Sequence, residues 1–147
     1  MIFERLRNWA ADKVWTDSDV TIGTGYMFRW FVIPRNPLMN IYLHQYVGND
    51  DDRALHDHPW WSFSLMLHGS LLEFDADGVR EIVEGESRFR TARYAHRLML
   101  SRDWQAITLF ITGPRIRRWG FHCPNGWRHW KDFVHPDDPG QIGPGCD

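Results

Sequence analysis

The stretch His56-Asp57-His58-Pro59-Trp60-Trp61-Ser62-Phe63-Ser64-Leu65-Met66-Leu67-His68-Gly69 decides how this chain is read. Its side chains follow the period of a strand, and in an extended segment residues two apart point the same way. The rings of His56 and His58 therefore share a face and converge, while Asp57 between them points to the opposite side. Carried along the strand, the alternation places Trp60, Ser62, Ser64 and Met66 on the histidine face. Trp61, Phe63, Leu65 and Leu67 then pack outward against a second layer.

Strand-like segments surround this stretch at 27–33, 40–47, 61–67, 70–75, 79–84, 96–100, 105–112 and 115–121. Turn residues separate them at 34–37, 48–52, 68–69, 77–78, 84–87, 113–114 and 123–126, with Asp77-Gly78 the clearest hairpin signal. Many short strands at close spacing predict an all-β sandwich or barrel. Ahead of them, Ile2, Phe3, Leu6, Trp9, Ala10 and Val14 recur at helical spacing until Asp17-Ser18-Asp19 breaks the pattern, which predicts a short N-terminal helix lying on the main body. Beyond His135 the chain is rich in Pro, Gly and Asp. The expected organisation is a helical appendage over 1–25, a β-barrel over 26–134 and an irregular tail over 135–147 with no core of its own.

The 147 residues suffice for one domain with a real core and exclude two large ones. Apolar residues make up 43% and charged residues 24%, a globular rather than a disordered composition. A formal net charge of -2 supplies no electrostatic footprint for nucleic acid or an anionic membrane. Lys13 and Lys131 are the only lysines among the 17 basic residues, so fixed guanidinium forks dominate over mobile ammonium groups. Charges break up the first fifteen residues, which argues against a secretory signal, and no apolar run is long enough to span a membrane. The two cysteines, Cys123 and Cys146, predict no disulfide framework, hence a reducing, cytoplasmic setting. Phosphate loops, dinucleotide fingerprints and nucleophile elbows are missing from the sequence.

Chemistry concentrates in histidine, of which there are eight. A third ligand beside His56 and His58 must come from elsewhere, and His96 stands at the head of another strand after about the length of two hairpins. Three His on neighbouring strands form a facial metal site. His44, His68, His122, His129 and His135 read individually as ordinary surface or core residues. Tyr42, His44 and Tyr46 share one face of a strand, as do Thr108, Phe110 and Thr112; each set either lines a pocket or packs as core. Tyr94, close to His96, is positioned to donate a hydrogen bond or proton to a bound ligand. Asp57 is read as structural, and Arg115 and Arg117 as sharing a strand face. A zinc site from His122, Cys123 and His129 fits no common ligand spacing.

The same residues carry a resemblance. The stretch from His56 to Gly69 resembles the first cupin motif, a His-x-His pair followed by Glu and then Gly, with His56, His58 and Gly69 in register. Arg90 to His96 is similar in position to the second motif, which supplies one His from a later strand, although its Pro and Gly are missing here. His56 to Trp60, His96-Arg97 and Trp119-Gly120-Phe121 also resemble parts of small single-domain bacterial and phage cupins. The resemblance implies a double-stranded β-helix, or jelly-roll barrel, holding a divalent metal on His56, His58 and His96. Ser62 occupies the place of the usual Glu ligand. Three neutral imidazoles leave the full charge of the ion, which favours an anionic or chelating ligand, with open positions for a substrate together with dioxygen or water. Cupin thiol dioxygenases and diketone-cleaving dioxygenases resemble this case, so Fe(II) is the favoured ion, with Zn, Mn or Ni also suited. Expected is a dioxygenase-like enzyme acting on a small polar molecule. The alternative is a non-catalytic binding or sensing module with a structural metal. Glu73 is the other candidate for a carboxylate ligand, though it reads as an ion-paired surface residue. Homodimerisation is common in such barrels.

Overall fold

A computed structural model describes residues 1–23, 25–49, 53–138 and 141–147. Helix α1 (Ile2–Lys13) is followed by strands β1 (Val20–Ile22), β2 (Met27–Phe31), β3 (Asn40–Tyr46), β4 (Leu55–His56), β5 (Ser62–His68), β6 (Ser70–Asp75) and β7 (Gly78–Val83). Strands β8 (Ser87–Arg90), β9 (Arg97–Leu100), β10 (Ala106–Thr112), β11 (Gly120–Cys123) and β12 (Gly126–His129) come next, then the one-turn helix α2 (Trp130–Phe133).

One six-stranded sheet has the order β1-β2-β3-β10-β5-β8, and its neighbouring strands pair antiparallel. Two three-stranded sheets, β7-β6-β9 and β12-β11-β4, are joined where His56 and His96 exchange a reciprocal pair of backbone hydrogen bonds, each 2.9 Å. That junction is the place where the candidate ligands meet. Met27, Tyr46, Met66 and Ala106 of the large sheet pack against Leu71 and Ile82 of β6 and β7, with Leu98 and Leu100 of β9 beside them. Burial of such side chains is worth roughly 1.5–3 kcal/mol each. On the outer face, Trp30, Leu43, Leu67 and Ile107 receive Ala10, Phe3 and Leu6 from α1 and Val14 just after it. Along β5, therefore, Met66 points into the barrel and Leu65 and Leu67 point out, as the alternation predicts.

The tight connections follow their residue types. Gly69, between β5 and β6, has φ +73, and a Cβ there would collide with the carbonyl oxygen of Gln105. Asp75 and Gly78 close the β6–β7 hairpin, and the Asp75 carboxylate accepts from the backbone N–H groups of Asp77 (2.8 Å) and Gly78 (3.1 Å).

Several expectations need correction. Cys123 and Cys146 form a disulfide, so the ground for expecting a reducing compartment is gone. The two residues lie far apart in the chain, and only the return of the tail toward β11 brings them together. That tail is tied down as well: the Gly145 N–H donates to the Phe133 carbonyl, and the Arg53 guanidinium donates to that of Gly143 at 2.8 Å. Residues 115–119 are not a strand. Pro114 precedes them, and the Arg117 guanidinium turns inward to the carbonyl oxygens of His58 and Ala92, so Arg115 and Arg117 do not share a strand face. Ile2 and Trp9 lie off the packed face of α1, 79% and 37% exposed. Pairing in the large sheet already begins at β1, within the stretch assigned to the appendage. Part of the turn expected at 48–52, namely residues 50–52, lies outside the described residues, as do 139–140 of the tail. Among the described residues no helix is long and apolar enough to cross a membrane.

Candidate metal centre and its cavity

His56 ends β4, paired with Phe121 of β11 on one side and bridged to His96 on the other. The chain then leaves strand geometry: the Asp57 N–H donates to the Gly120 carbonyl (3.0 Å) and the His58 N–H to that of Ala92 (3.1 Å). The pair is thus split between a strand end and an irregular segment, yet the two rings still converge. Ring centroids are 4.9 Å apart for His56 and His58, 5.1 Å for His56 and His96, and 5.2 Å for His58 and His96. One donor nitrogen from each residue lies within 4.8 Å of the others. No other trio of His, Cys, Asp or Glu gathers in this way among the described residues.

The donor set fits a divalent ion. The Nε2 atoms of His58 and His96 are 3.0 Å apart, the spacing of two nitrogens at right angles around an ion with bonds of about 2.1 Å. His96 Nδ1 is 2.6 Å from the carboxylate of Glu73, which can only accept, so Nδ1 carries the proton and Nε2 turns its lone pair toward the other rings. Burial holds His96 down at about 4, against the upward pull of Glu73, so the ring is neutral near pH 7. His58 is lowered well below the usual histidine value, first by burial and then by its histidine neighbours. Neutral imidazoles are the form that binds a metal.

Glu73 is not a surface residue. It lies on β6 at 1% exposure, on the same face as Leu71. Arg90 donates to its Oε1 through Nε and to Ser64 Oγ through Nη1 (2.8 Å), and the Arg88 guanidinium lies 3.4 Å from its other oxygen. Burial alone would raise the Glu73 pKa, but the donors from His96 and Arg90 outweigh it and bring the carboxyl to about 2. The group is a permanently charged anchor behind His96.

Asp57, between the other two candidate ligands in the chain, is buried as well. Its carboxylate accepts from the Gly120 N–H, His122 Nε2 and Trp127 Nε1, each at 2.9 Å, and pairs with Arg117 at 2.9 Å. One buried carboxylate thereby fixes the loop between His56 and His58 to the β11–β12 hairpin.

A cavity of about 630 Å³ opens in front of the histidines. All three line it, as do Trp60, His44 and Phe110 of the expected pocket residues. The remaining four lie elsewhere. Tyr42 is buried under the Arg29 guanidinium, Ser62 is buried at 1% exposure, Ser64 is engaged by Arg90, and the Tyr94 hydroxyl donates to Asp75 at 2.6 Å. Burial and that hydrogen bond raise Tyr94 to about 12.

Sequence reasoning missed Arg29 and the tail residues Val134, Gln141 and Ile142, and it placed Glu73, weighed there as a carboxylate ligand, on the surface; all bear on this site. Period-two alternation would have found Arg29 and turned Glu73 inward. Arg29 shares a face with Met27, and Glu73 one with Leu71. The tail residues carry no such periodicity.

No family model matches the chain, and no curated protein matches it. Among solved structures it is similar to an uncharacterised conserved protein with a double-stranded β-helix domain from Klebsiella pneumoniae, with TM-score 0.56 and 16% identity over 69% of this chain and 84% of that one. It is also similar to a sugar phosphate isomerase of the cupin superfamily from Silicibacter pomeroyi, with TM-score 0.53 and 14% identity over 70% and 74% of the two chains. A third likeness is to Fe(II) HppE, with TM-score 0.52 and 15% identity over 65% of this chain and 54% of that one. The fold is that of the cupins, a double-stranded β-helix with one short helix ahead of it.

Proposed function

We propose that this chain is a metal-binding cupin in which His56, His58 and His96 hold one divalent ion and a small polar molecule binds beside it in the cavity. The single observation that carries the reading is the convergence of three donor nitrogens within 4.8 Å of one another, with Glu73 setting the tautomer of His96. Fe(II) is the favoured ion, Zn, Mn and Ni being alternatives, and the chemistry is dioxygenase-like. A bound ion there supplies Lewis acidity and, if it is iron, reactivity toward dioxygen. The chain itself supplies three neutral donors, a protonated Nδ1 that cannot rotate away from Glu73, and aromatic walls that displace water. A non-catalytic module with a structural ion is the competing reading.

Metal analysis of the purified protein tests the site. About one divalent ion per chain is expected in the parent and none in the His56→Ala, His58→Ala double variant. Equal metal content in both would end the proposal. Oxygen uptake with small thiols, diketones and acids then separates enzyme from module.

A further inference from the structure

The cavity wall holds a charge that the metal reading does not use. Arg29 lines the cavity from β2, and its Nε donates to Nε2 of His44 at 2.9 Å while the guanidinium lies 4.5 Å above the ring of Tyr42. Its Nη1 and Nη2 atoms have no hydrogen-bond or ion-pair partner among the described residues. No Asp or Glu lines the cavity among those residues. A buried or half-buried guanidinium held only for structure normally has a carboxylate against it, because an unpaired charge away from water is costly. Here the acceptor is His44, fully buried and kept neutral by burial first and by the nearby Arg29 charge second. Such a partner orients the guanidinium without neutralising it. The fork is fixed on one edge by His44, on one face by Tyr42, and left open on the edge that carries two nitrogens.

We propose that Arg29 is the anchor for the carboxylate of a monoanionic, aromatic or similarly apolar organic acid that occupies this cavity. The proposal rests on the reading of the cavity as a small-molecule site and adds the class of molecule. A bidentate pair between a guanidinium and a carboxylate supplies both charge and direction. Trp60, Phe110, Trp119 and Phe121 line the same cavity and suit an apolar body. A single carboxylate fits better than a phosphomonoester dianion. The other arginine on the wall, Arg53, holds the tail through the Gly143 carbonyl and lies over Phe133, so its fork is engaged in structure and Arg29 is the guanidinium offered to a ligand.

The test uses phenylacetate, its neutral isostere phenylacetamide, and phenyl phosphate, titrated into protein stripped of metal with EDTA and followed by calorimetry and by quenching of tryptophan fluorescence. Parent protein is expected to bind phenylacetate at least about 10-fold more tightly than phenylacetamide, the size of one charge-assisted pair. Arg29→Met is expected to lose that preference, and Arg29→Lys, which keeps charge but not the fork, to retain part of it; circular dichroism confirms that both variants fold. Equal binding of acid and amide by the parent, no binding of the acid at millimolar concentration, or an unchanged preference in Arg29→Met overturns the proposal. Tighter binding of phenyl phosphate than of phenylacetate overturns the choice of carboxylate. The titrations are made without metal, so their outcome is independent of the metal content on which the preceding reading stands.

Discussion

Glu73 accepts a hydrogen bond from Nδ1 of His96 at 2.6 Å from a position that is only 1% exposed. The contact orients one of the three proposed ligands and makes its Nε2 a better donor. Partners of this kind are worth roughly 10- to 100-fold in metal affinity. Glu73→Gln preserves shape and removes the charge, so a loss of that size is expected for Zn(II) or Ni(II), read by competition with a chromophoric chelator. Parent-like affinity in a folded Glu73→Gln protein would mean that the carboxylate serves Arg90 alone.

Asp57 makes the opposite kind of contribution, to the frame and not to a ring. Burial pushes its pKa up, but Arg117, His122, the Gly120 N–H and Trp127 outweigh that and leave it below the ordinary carboxylate value. Asp57→Asn removes the counter-charge of Arg117 and cannot satisfy all these donors. Breaking a fully buried pair costs about 3–5 kcal/mol. Arg117 keeps 22% side-chain exposure, so about 2 kcal/mol is the expected loss in urea unfolding. A loss below about 0.5 kcal/mol, the size of an ordinary surface change, would show that the four donors find other partners.

The parts of this molecule that were legible in the sequence are those with a long period. Strands β3, β5, β6 and β10 each carry six or seven residues and were recognisable from alternation alone. Among the strands of two to four residues, β1, β4, β8 and β12 display too little of one and were missed, while β9 was anticipated at 96–100. His56, His58 and His96 were legible as a group because two of them stand two apart and the third heads a strand. Arg29 was overlooked and Glu73 was placed on the surface because charged residues on a strand read as solvent-facing, whereas here each charge is turned inward and held by a specific partner. Cys123 and Cys146 became a pair only through the path of the tail, which no local pattern encodes.

His44 provides a pH-dependent contribution that can be isolated. Burial, then Arg29, lowers its pKa well below the ordinary value of about 6.5. The folded state therefore binds fewer protons than the unfolded state just below that value. The contribution is complete above about pH 6.5 and drains away as the pH falls through the window beneath it. His44→Gln keeps an acceptor for Arg29 and removes the titration. Between pH 7 and pH 5 the parent is expected to lose more stability than the variant, followed as urea midpoints at each pH. Parallel curves would mean that His44 accepts a proton in the folded protein without cost.

The disulfide between Cys123 and Cys146 closes the chain over one side of the cavity, because Phe133, Val134, Gln141 and Ile142 belong both to the enclosed loop and to the cavity wall. The bonded residues are 23 apart in sequence, and on the chain-entropy account a loop of that size stabilises by about 3 kcal/mol. Cys146→Ser should therefore unfold at lower urea concentration than the oxidised parent and at about the same concentration as parent treated with a phosphine reductant. Loosening should also begin at the tail, since Arg53 and the Phe133 carbonyl hold it by single hydrogen bonds once the covalent link is gone. Limited proteolysis followed by mass spectrometry is expected to cut the variant first beyond Val134 and to leave the β-helix intact. Two thiols titrating in the native protein without denaturant, or the same cleavage pattern in both proteins, would show that the wall of the cavity is held by packing and does not depend on the covalent closure.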